Sequence, residues 1–358
     1  MTHPTAPIRV LIVDDSAVMR QYLSGLLAAD PEIEVVGTAA DPHIARERIK
    51  ALNPDVVTLD VEMPHMDGLT FLHKIMTLRP TPVVMVSTLT QAGAETTLQA
   101  LEIGAVDFVA KPTTDLAQAR EALAAELQTK VKTAARTRVR RANPPAAAQK
   151  VRSFTLAKDK IVFIGASTGG VEALKVVLMG LPPECPPILI TQHMPPRFTA
   201  AFAERLNREC PMRVSEAKHG DSIEAGHVYI APGAHHLEIE RRGLHAACSL
   251  SDDAPVSGHR PSVDVLFRSA ARFGGRAAVG VILTGMGKDG AEGLLALREA
   301  GAITLGQDES SSLIYGMPRA AFERGAVVRQ HPLSHMAEAI LEACEADDAR
   351  SRAPHHAA

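Results

Sequence analysis

Twice along this chain, short apolar runs alternate with segments of helical periodicity, and this constrains the fold more than any other feature. In the first series the apolar runs are Arg9–Val13, Glu34–Gly37, Val56–Leu59, Val83–Val86 and Ala105–Val109. Helical patterns fall between and after them, at about 17–29, 42–52, 68–78, 91–103 and 115–135. The second series begins at Lys160. Its runs are Ile161–Gly165, Ile188–Thr191, Val228–Ile230, Leu237–Ile239, Ala278–Leu283, Ile303–Leu305 and Ala326–Val328. Helical patterns lie at 170–179, 197–208, 262–273, 290–300 and 333–345. A short, uniformly apolar strand is buried on both faces, and helical crossovers between such strands build parallel sheets. The expected class is therefore α/β, with two doubly wound, mostly parallel sheets and an antiparallel piece around 227–248.

The two series imply domains over residues 7–130 and 159–347. Between them, 131–158 is basic, alanine-rich and broken by Pro144 and Pro145. It reads as a solvated linker rather than a nucleic-acid patch. The last residues, 348–358, have nothing to pack and are expected to be disordered. A net charge of −3 gives no reason to expect a nucleic-acid partner. No apolar run reaches the roughly 18 residues of a membrane span, and the N-terminus lacks a secretory pattern. Cys185, Cys210, Cys248 and Cys344 show no CxxC spacing, so buried free thiols in a reducing cytoplasm are expected.

In a parallel sheet, chemistry collects at the carboxyl ends of the strands. In the first series those ends carry Asp14 and Asp15, then Asp60, then Ser87 and Thr88, then Lys111 and Pro112. Three carboxylates in one crevice repel one another unless a cation sits among them, and a hard divalent ion such as Mg²⁺ suits oxygen ligands. Asp30, Asp41, Asp55 and Asp67 read instead as turn and cap residues. With VDDS, LDVEMPHMDG, MVST and FVAKP in order, residues 8–128 resemble the receiver domain of bacterial response regulators. The resemblance implies a five-stranded flavodoxin-like fold. It makes Asp60 the phosphoryl acceptor, and Asp14, Asp15, Asp60 and the backbone carbonyl of Glu62 the Mg²⁺ ligands. It makes Ser87 the switch hydroxyl, Lys111 the phosphate partner and Phe108 the switch aromatic.

The second series opens with IVFIGASTGGV, an apolar strand that stops at a glycine-flanked serine and runs into a helical pattern. Such a turn exposes the Ser167 hydroxyl at a sheet edge and aims backbone N–H groups at whatever binds there. His193 closes the next apolar strand, and Asp289 lies in the MGKDG turn after another. These are the residue types of a nucleophile, its base and an acid that orients the base. Backbone N–H groups near Thr168 and in the Gly285-Met286-Gly287 loop are candidates for stabilising an oxyanion. Three other readings stand beside this one. Ser167 could be a helix N-cap. GASTG fits the G-x-S-x-G elbow of α/β-hydrolases, but that fold orders its triad Ser, Asp, His. A dinucleotide cradle would need the G-x-G-x-x-G spacing, which is absent.

From Ile161 to the mid-330s the chain resembles the catalytic domain of chemotaxis protein-glutamate methylesterases. The motifs are GASTGG, QHMPPRFTAAFAERL, HVYIAPGAHHLEI, GHRPSVDVLFRSAA, GVILTGMGKDGAEG and QDESSSLIYGMPRAA. The resemblance implies a triad of Ser167, His193 and Asp289, with Thr168 and the Met286 backbone supporting the serine or the oxyanion. His259 falls at another position lining the active site. His219, His227, His235, His236 and His245 read as loop or strand-face residues. The implied reaction is hydrolysis of glutamate methyl esters on chemoreceptors, with deamidation of selected receptor glutamines, and no cofactor in this domain. The implied phosphodonor is the chemotaxis histidine kinase CheA, and the implied control is a receiver that covers the serine edge until Asp60 is phosphorylated. The expected protein is cytoplasmic, monomeric and not inserted in a membrane. The basic linker is a candidate for docking to receptors.

Overall fold

The computed structural model describes residues 6–63, 68–88, 90–111, 120–137, 157, 159–243 and 245–345. The chain divides into two compact units, Met1–Pro145 and Ala146–Ala358. Residues 138–156 and 158 of the linker, the tail from residue 346, Asp67 and Pro112 lie outside the described residues.

The first unit runs β1 (Ile8–Val13), α1 (Ala17–Leu27), β2 (Ile33–Ala39), α2 (Pro42–Leu52), β3 (Val56–Asp60), α3 (Gly68–Leu78), β4 (Val83–Ser87), α4 (Gln91–Ile103), β5 (Asp107–Ala110) and α5 (Arg120–Arg136). Its five strands are all parallel, in the order β2-β1-β3-β4-β5. The order reverses between β1 and β3, and the crevice at their carboxyl ends is where such a sheet binds ligands. β3 and β4 are buried along their whole length, as uniformly apolar strands require. The helices begin where capping side chains allow. Asp41 accepts from the N–H groups of His43 and Ile44 at 2.7 and 2.9 Å and caps α2. Helix α5 continues to Arg136, into the segment assigned to the linker. The reason is packing, since Val131 and Ala134 are buried in the core with Leu123 and Leu127.

The second unit runs β6 (Ile161–Ala166), α6 (Gly170–Met179), β7 (Ile188–Gln192), α7 (Phe198–Glu209), β8 (Arg213–Glu216), β9 (His227–Ile230), β10 (His236–Arg242), β11 (His245–Ser251), α8 (Val263–Gly274), β12 (Ala278–Ile282), α9 (Ala291–Glu299), β13 (Ile303–Gln307), α10 (Met317–Glu323), β14 (Arg329–His331) and α11 (Leu333–Ala343). Seven strands form a parallel sheet in the order β14-β13-β12-β6-β7-β9-β8. β10 and β11 form a separate antiparallel hairpin. The order reverses around β6, so the carboxyl ends of β6, β7 and β12 share one crevice.

Four details differ from the sequence reading, one being the short helix α10 (Met317–Glu323), where no helical pattern was read. The antiparallel piece is the hairpin His236–Ser251, with an isolated antiparallel bridge from Ser222 to Ala247, while His227–Ile230 joins the parallel sheet. β8 is an additional strand, which carries Val214 as its one fully buried residue. The final strand is Arg329–His331, not Ala326–Val328. Ala326 and Val327 pack into the core as a loop, and pairing with β13 begins only at Arg329. All four cysteines are free and buried, and burial pushes the thiols of Cys185, Cys210 and Cys248 up to about 11, 11 and 12. Among the described residues, no helix is long and apolar enough to cross a membrane.

Candidate functional site

At the switch point of the first sheet, Asp14 and Asp15 follow β1 and Asp60 ends β3. One carboxylate oxygen from each lies within 4.8 Å of the other two. Lys111, just after β5, sits opposite, its Nζ 2.8 Å from Asp60 Oδ2 and 3.0 Å from Asp14 Oδ2. Burial pushes the Asp60 carboxyl up to about 6, and Asp14 adds to this while Lys111 pulls the other way. Burial also opposes the charge on Lys111, yet Asp60 and Asp14 hold its ammonium above the ordinary lysine value. One lysine thus faces three acids, two of them buried, and the surplus negative charge with an all-oxygen donor set fits a hard divalent cation.

The local backbone explains how the acids converge. Arg20 on α1 donates to the carbonyls of Asp14 and Asp15 at 2.8 and 2.9 Å, and the Ser16 N–H donates to Asp14 Oδ1. The Glu62 N–H donates to Asp60 Oδ1 at 3.2 Å, which places the Glu62 backbone beside the acids. Ser87 is fully buried, its hydroxyl 3.3 Å from the carbonyls of Thr88 and Gly93. Phe108 is buried too, with Lys130 Nζ 5.1 Å from its ring centre. Lys130 in turn pairs with Asp107 and Glu126, an α5 anchor that the sequence patterns left unread.

In the second unit the three strand-end residues meet. Ser167 Oγ lies 3.2 Å from His193 Nδ1, and His193 Nε2 lies 2.8 Å from Asp289 Oδ2. Asp289 is 2% exposed. Its Oδ2 also accepts from the Val263 N–H at 2.7 Å, and its Oδ1 accepts from the Ser262 hydroxyl at 2.8 Å and the Asp264 N–H at 3.1 Å. An ionised carboxylate offers about four acceptor positions, and all are taken by donors. Burial pushes Asp289 up, but His193, the Val263 N–H and the Ser262 hydroxyl outweigh it and hold the carboxyl below its ordinary value. A carboxylate so held must accept from His193, which puts the proton on Nε2 and the lone pair of Nδ1 toward Ser167. The ring is used the other way round from the common template, in which Nε2 faces the serine.

Ser167 is not the cap of α6. That position belongs to Gly169, whose φ of +80° favours glycine and which makes no side-chain cap bond. The turn is fixed from three sides. The Ser167 N–H donates to the Thr284 carbonyl at 3.0 Å, so Ser167's own amide is occupied. Gln192 donates to the Ser167 carbonyl at 3.0 Å. Thr284 Oγ1 donates to the Thr168 carbonyl at 3.0 Å, and the Gln307 amide oxygen accepts from the Thr284 N–H at 2.8 Å. Thr168 follows the serine directly and is buried, while Met286 is 38% exposed in the loop after β12. Gly285 in that loop comes so close that a Cβ on it would lie 2.8 Å from Ser167 Cβ.

His259 stacks on His193, with ring centres 3.8 Å apart and planes 12° from parallel. His236 is fully buried, unlike an ordinary loop histidine. Its Nδ1 accepts from the Ser262 N–H at 3.1 Å, and its Nε2 lies 3.2 Å from the Ala254 carbonyl. Ser262, Gln192, Thr284 and Gln307 were not singled out from the sequence, and His236, read there as a loop or strand-face residue, opens β10. Gln192 and Thr284 adjoin strand ends and were within reach of that reasoning. Ser262 carried no local signal, and the burial of His236 comes from its contacts with Ser262 and Ala254.

A family model described as CheB methylesterase matches residues 162–340, and one described as response regulator receiver domain matches residues 10–124. The chain is 60% identical over 346 residues to a Caulobacter vibrioides protein named "Protein-glutamate methylesterase/protein-glutamine glutaminase 1", covering 95% of this chain and 99% of that one. It is 54% identical over 342 residues to a Nitrosomonas europaea relative with the same activities in its name, covering 93% and 96%. Among solved structures, the Thermotoga maritima CheB methylesterase catalytic domain is 36% identical, with a TM-score of 0.50. It covers 51% of this chain and 97% of that chain.

Proposed function

Since this chain belongs to the CheB methylesterase family and carries a response regulator receiver domain, we propose that it hydrolyses glutamate methyl esters on chemoreceptors under control of phosphorylation at Asp60. The observation that carries this reading is the hydrogen-bonded line from Ser167 through His193 to Asp289. Ser167 Oγ attacks the ester carbonyl as His193 Nδ1 takes its proton. Asp289 holds the ring and offsets the charge of the imidazolium. N–H groups of Thr168 and Met286 receive the developing oxyanion, a contribution of about 10²–10³ in rate for each such donor. The imidazolium then protonates the leaving methoxide, and methanol departs. Water, activated by the same Nδ1, releases glutamate and restores Ser167. With a receptor glutamine the sequence is the same and ammonia leaves. Stacking by His259 restrains the plane of the base.

In the receiver, residues 7–130, Asp60 accepts a phosphoryl group from the chemotaxis histidine kinase. Asp14, Asp15, Asp60 and the Glu62 carbonyl would hold Mg²⁺, which when bound offsets the negative charge of the acceptor and the phosphoryl group. Lys111 pairs with the added phosphoryl, and Ser87 and Phe108 carry the change to the surface of the receiver. Residues 131–158 act as the linker, and 159–347 as the hydrolase. The substrate lies on the cytoplasmic side of the receptors, which places the enzyme in the cytoplasm. Receptor carrying labelled methyl esters, and receptor with glutamines at the same positions, test the activity. The expected products are labelled methanol from the first and ammonia from the second; release of neither would contradict the reading.

A further inference from the structure

Ser262 occupies the N-cap position of α8, with the extended backbone of a cap, φ −114° and ψ 137°. A serine there ordinarily accepts a hydrogen bond from its own helix. Ser262 makes no such bond. Its hydroxyl instead donates to Asp289 Oδ1, and the first amides of α8, Val263 and Asp264, are capped by the same distant carboxylate. Capping has been handed from the local serine to a residue 27 positions on. The serine is itself pinned, fully buried and with its N–H bonded to His236 Nδ1. His236 is anchored at Nε2 by the Ala254 carbonyl. A line of hydrogen bonds therefore runs from Ala254 through His236, Ser262, Asp289 and His193 to Ser167.

We propose that Ser262 is a positioning residue for the hydrolysis, holding the Asp289 carboxylate in the orientation that presents Oδ2 to His193 Nε2. Without the hydroxyl, Oδ1 keeps only the Asp264 N–H, the longest of the four contacts at 3.1 Å. The carboxylate can then tilt about Cβ–Cγ, and the tilt is passed to the imidazole and to Nδ1. The α8 amides remain, so the fold does not depend on the serine. The proposal rests on the reading of Ser167, His193 and Asp289 as the hydrolytic triad.

The test uses the full chain carrying Ser262→Ala. Methanol release from methylated receptor should show kcat lower by about tenfold, the scale of one charge-assisted hydrogen bond, with KM unchanged. In ¹H spectra of the free protein labelled with ¹⁵N-histidine, the His193 Nε2–H resonance should move upfield and exchange faster with solvent. An unchanged kcat with an unmoved resonance would overturn the proposal. So would a lowered melting temperature with that resonance unmoved, which marks a purely structural serine. The spectrum needs no substrate, so it reads the Ser262–Asp289–His193 chain even if Ser167→Ala kept full activity and the triad reading failed.

Discussion

Asp289 shows how much one side chain can be asked to do. It caps α8, fixes the His193 tautomer and carries a buried charge, because four donors surround its two oxygens. Asp289→Asn replaces one acceptor oxygen with an NH₂ group that must face donors. The account predicts a fall of about 10³–10⁴ in kcat, as expected for loss of the productive tautomer, measured by methanol release. Asp60 presents the opposite case. Its folded-state carboxyl is raised from 3.8 to about 6, chiefly by burial. The folded form therefore binds the proton more tightly than the unfolded chain does. Stability falls as pH climbs from about 4 to about 6, and the cost stays in place above that range. By linkage this is about 3 kcal/mol at neutral pH. Asp60→Asn should therefore stabilise the first unit at pH 7.5 without divalent cations, by up to about 3 kcal/mol, since the raised carboxyl value already includes the pairing with Lys111. A denaturant titration reads it, and the gain should vanish near pH 4.

At the scale of elements, the site depends on three strand ends and one close loop. The Gly285 loop lies against the serine turn, and a Cβ there would press on Ser167 Cβ from 2.8 Å. Gly285→Ala should cut kcat by about 10²-fold through misplacement of the nucleophile, with Asp60 phosphorylation unaffected. The same elements mark what sequence can reveal. The apolar runs that became β1, β3, β4, β6, β7 and β12 were legible because burial on both faces demands uniform apolarity. The residues at their carboxyl ends were legible with them, including Ser167, His193 and Asp60. β8 was not, because RVSE buries one valine fully and owes its strand form to pairing with β9. β14 was misplaced because an edge strand is defined by its partner rather than by its own composition. Ser262 sits in a polar loop, and its meaning comes from a carboxylate far along the chain.

At the scale of the whole molecule, a hydrolase domain is joined to a receiver in which Asp60, the proposed phosphoryl acceptor, is buried beside Lys111. A small phosphodonor with Mg²⁺ should raise the rate of methanol release by the full chain, and Asp60→Asn should abolish the increase while keeping the basal rate. Removing residues 1–150 should raise the basal rate, and a merely inactive product would argue against inhibition by the receiver. The hydrolysis itself depends on Ser167 acting as the nucleophile. The most direct test of this role is methanol release from methylated chemoreceptor by the full chain and by Ser167→Ala, with Asp60 phosphorylation as the check on folding. The variant should be phosphorylated normally and release no methanol above background. Undiminished methanol release by Ser167→Ala would contradict it.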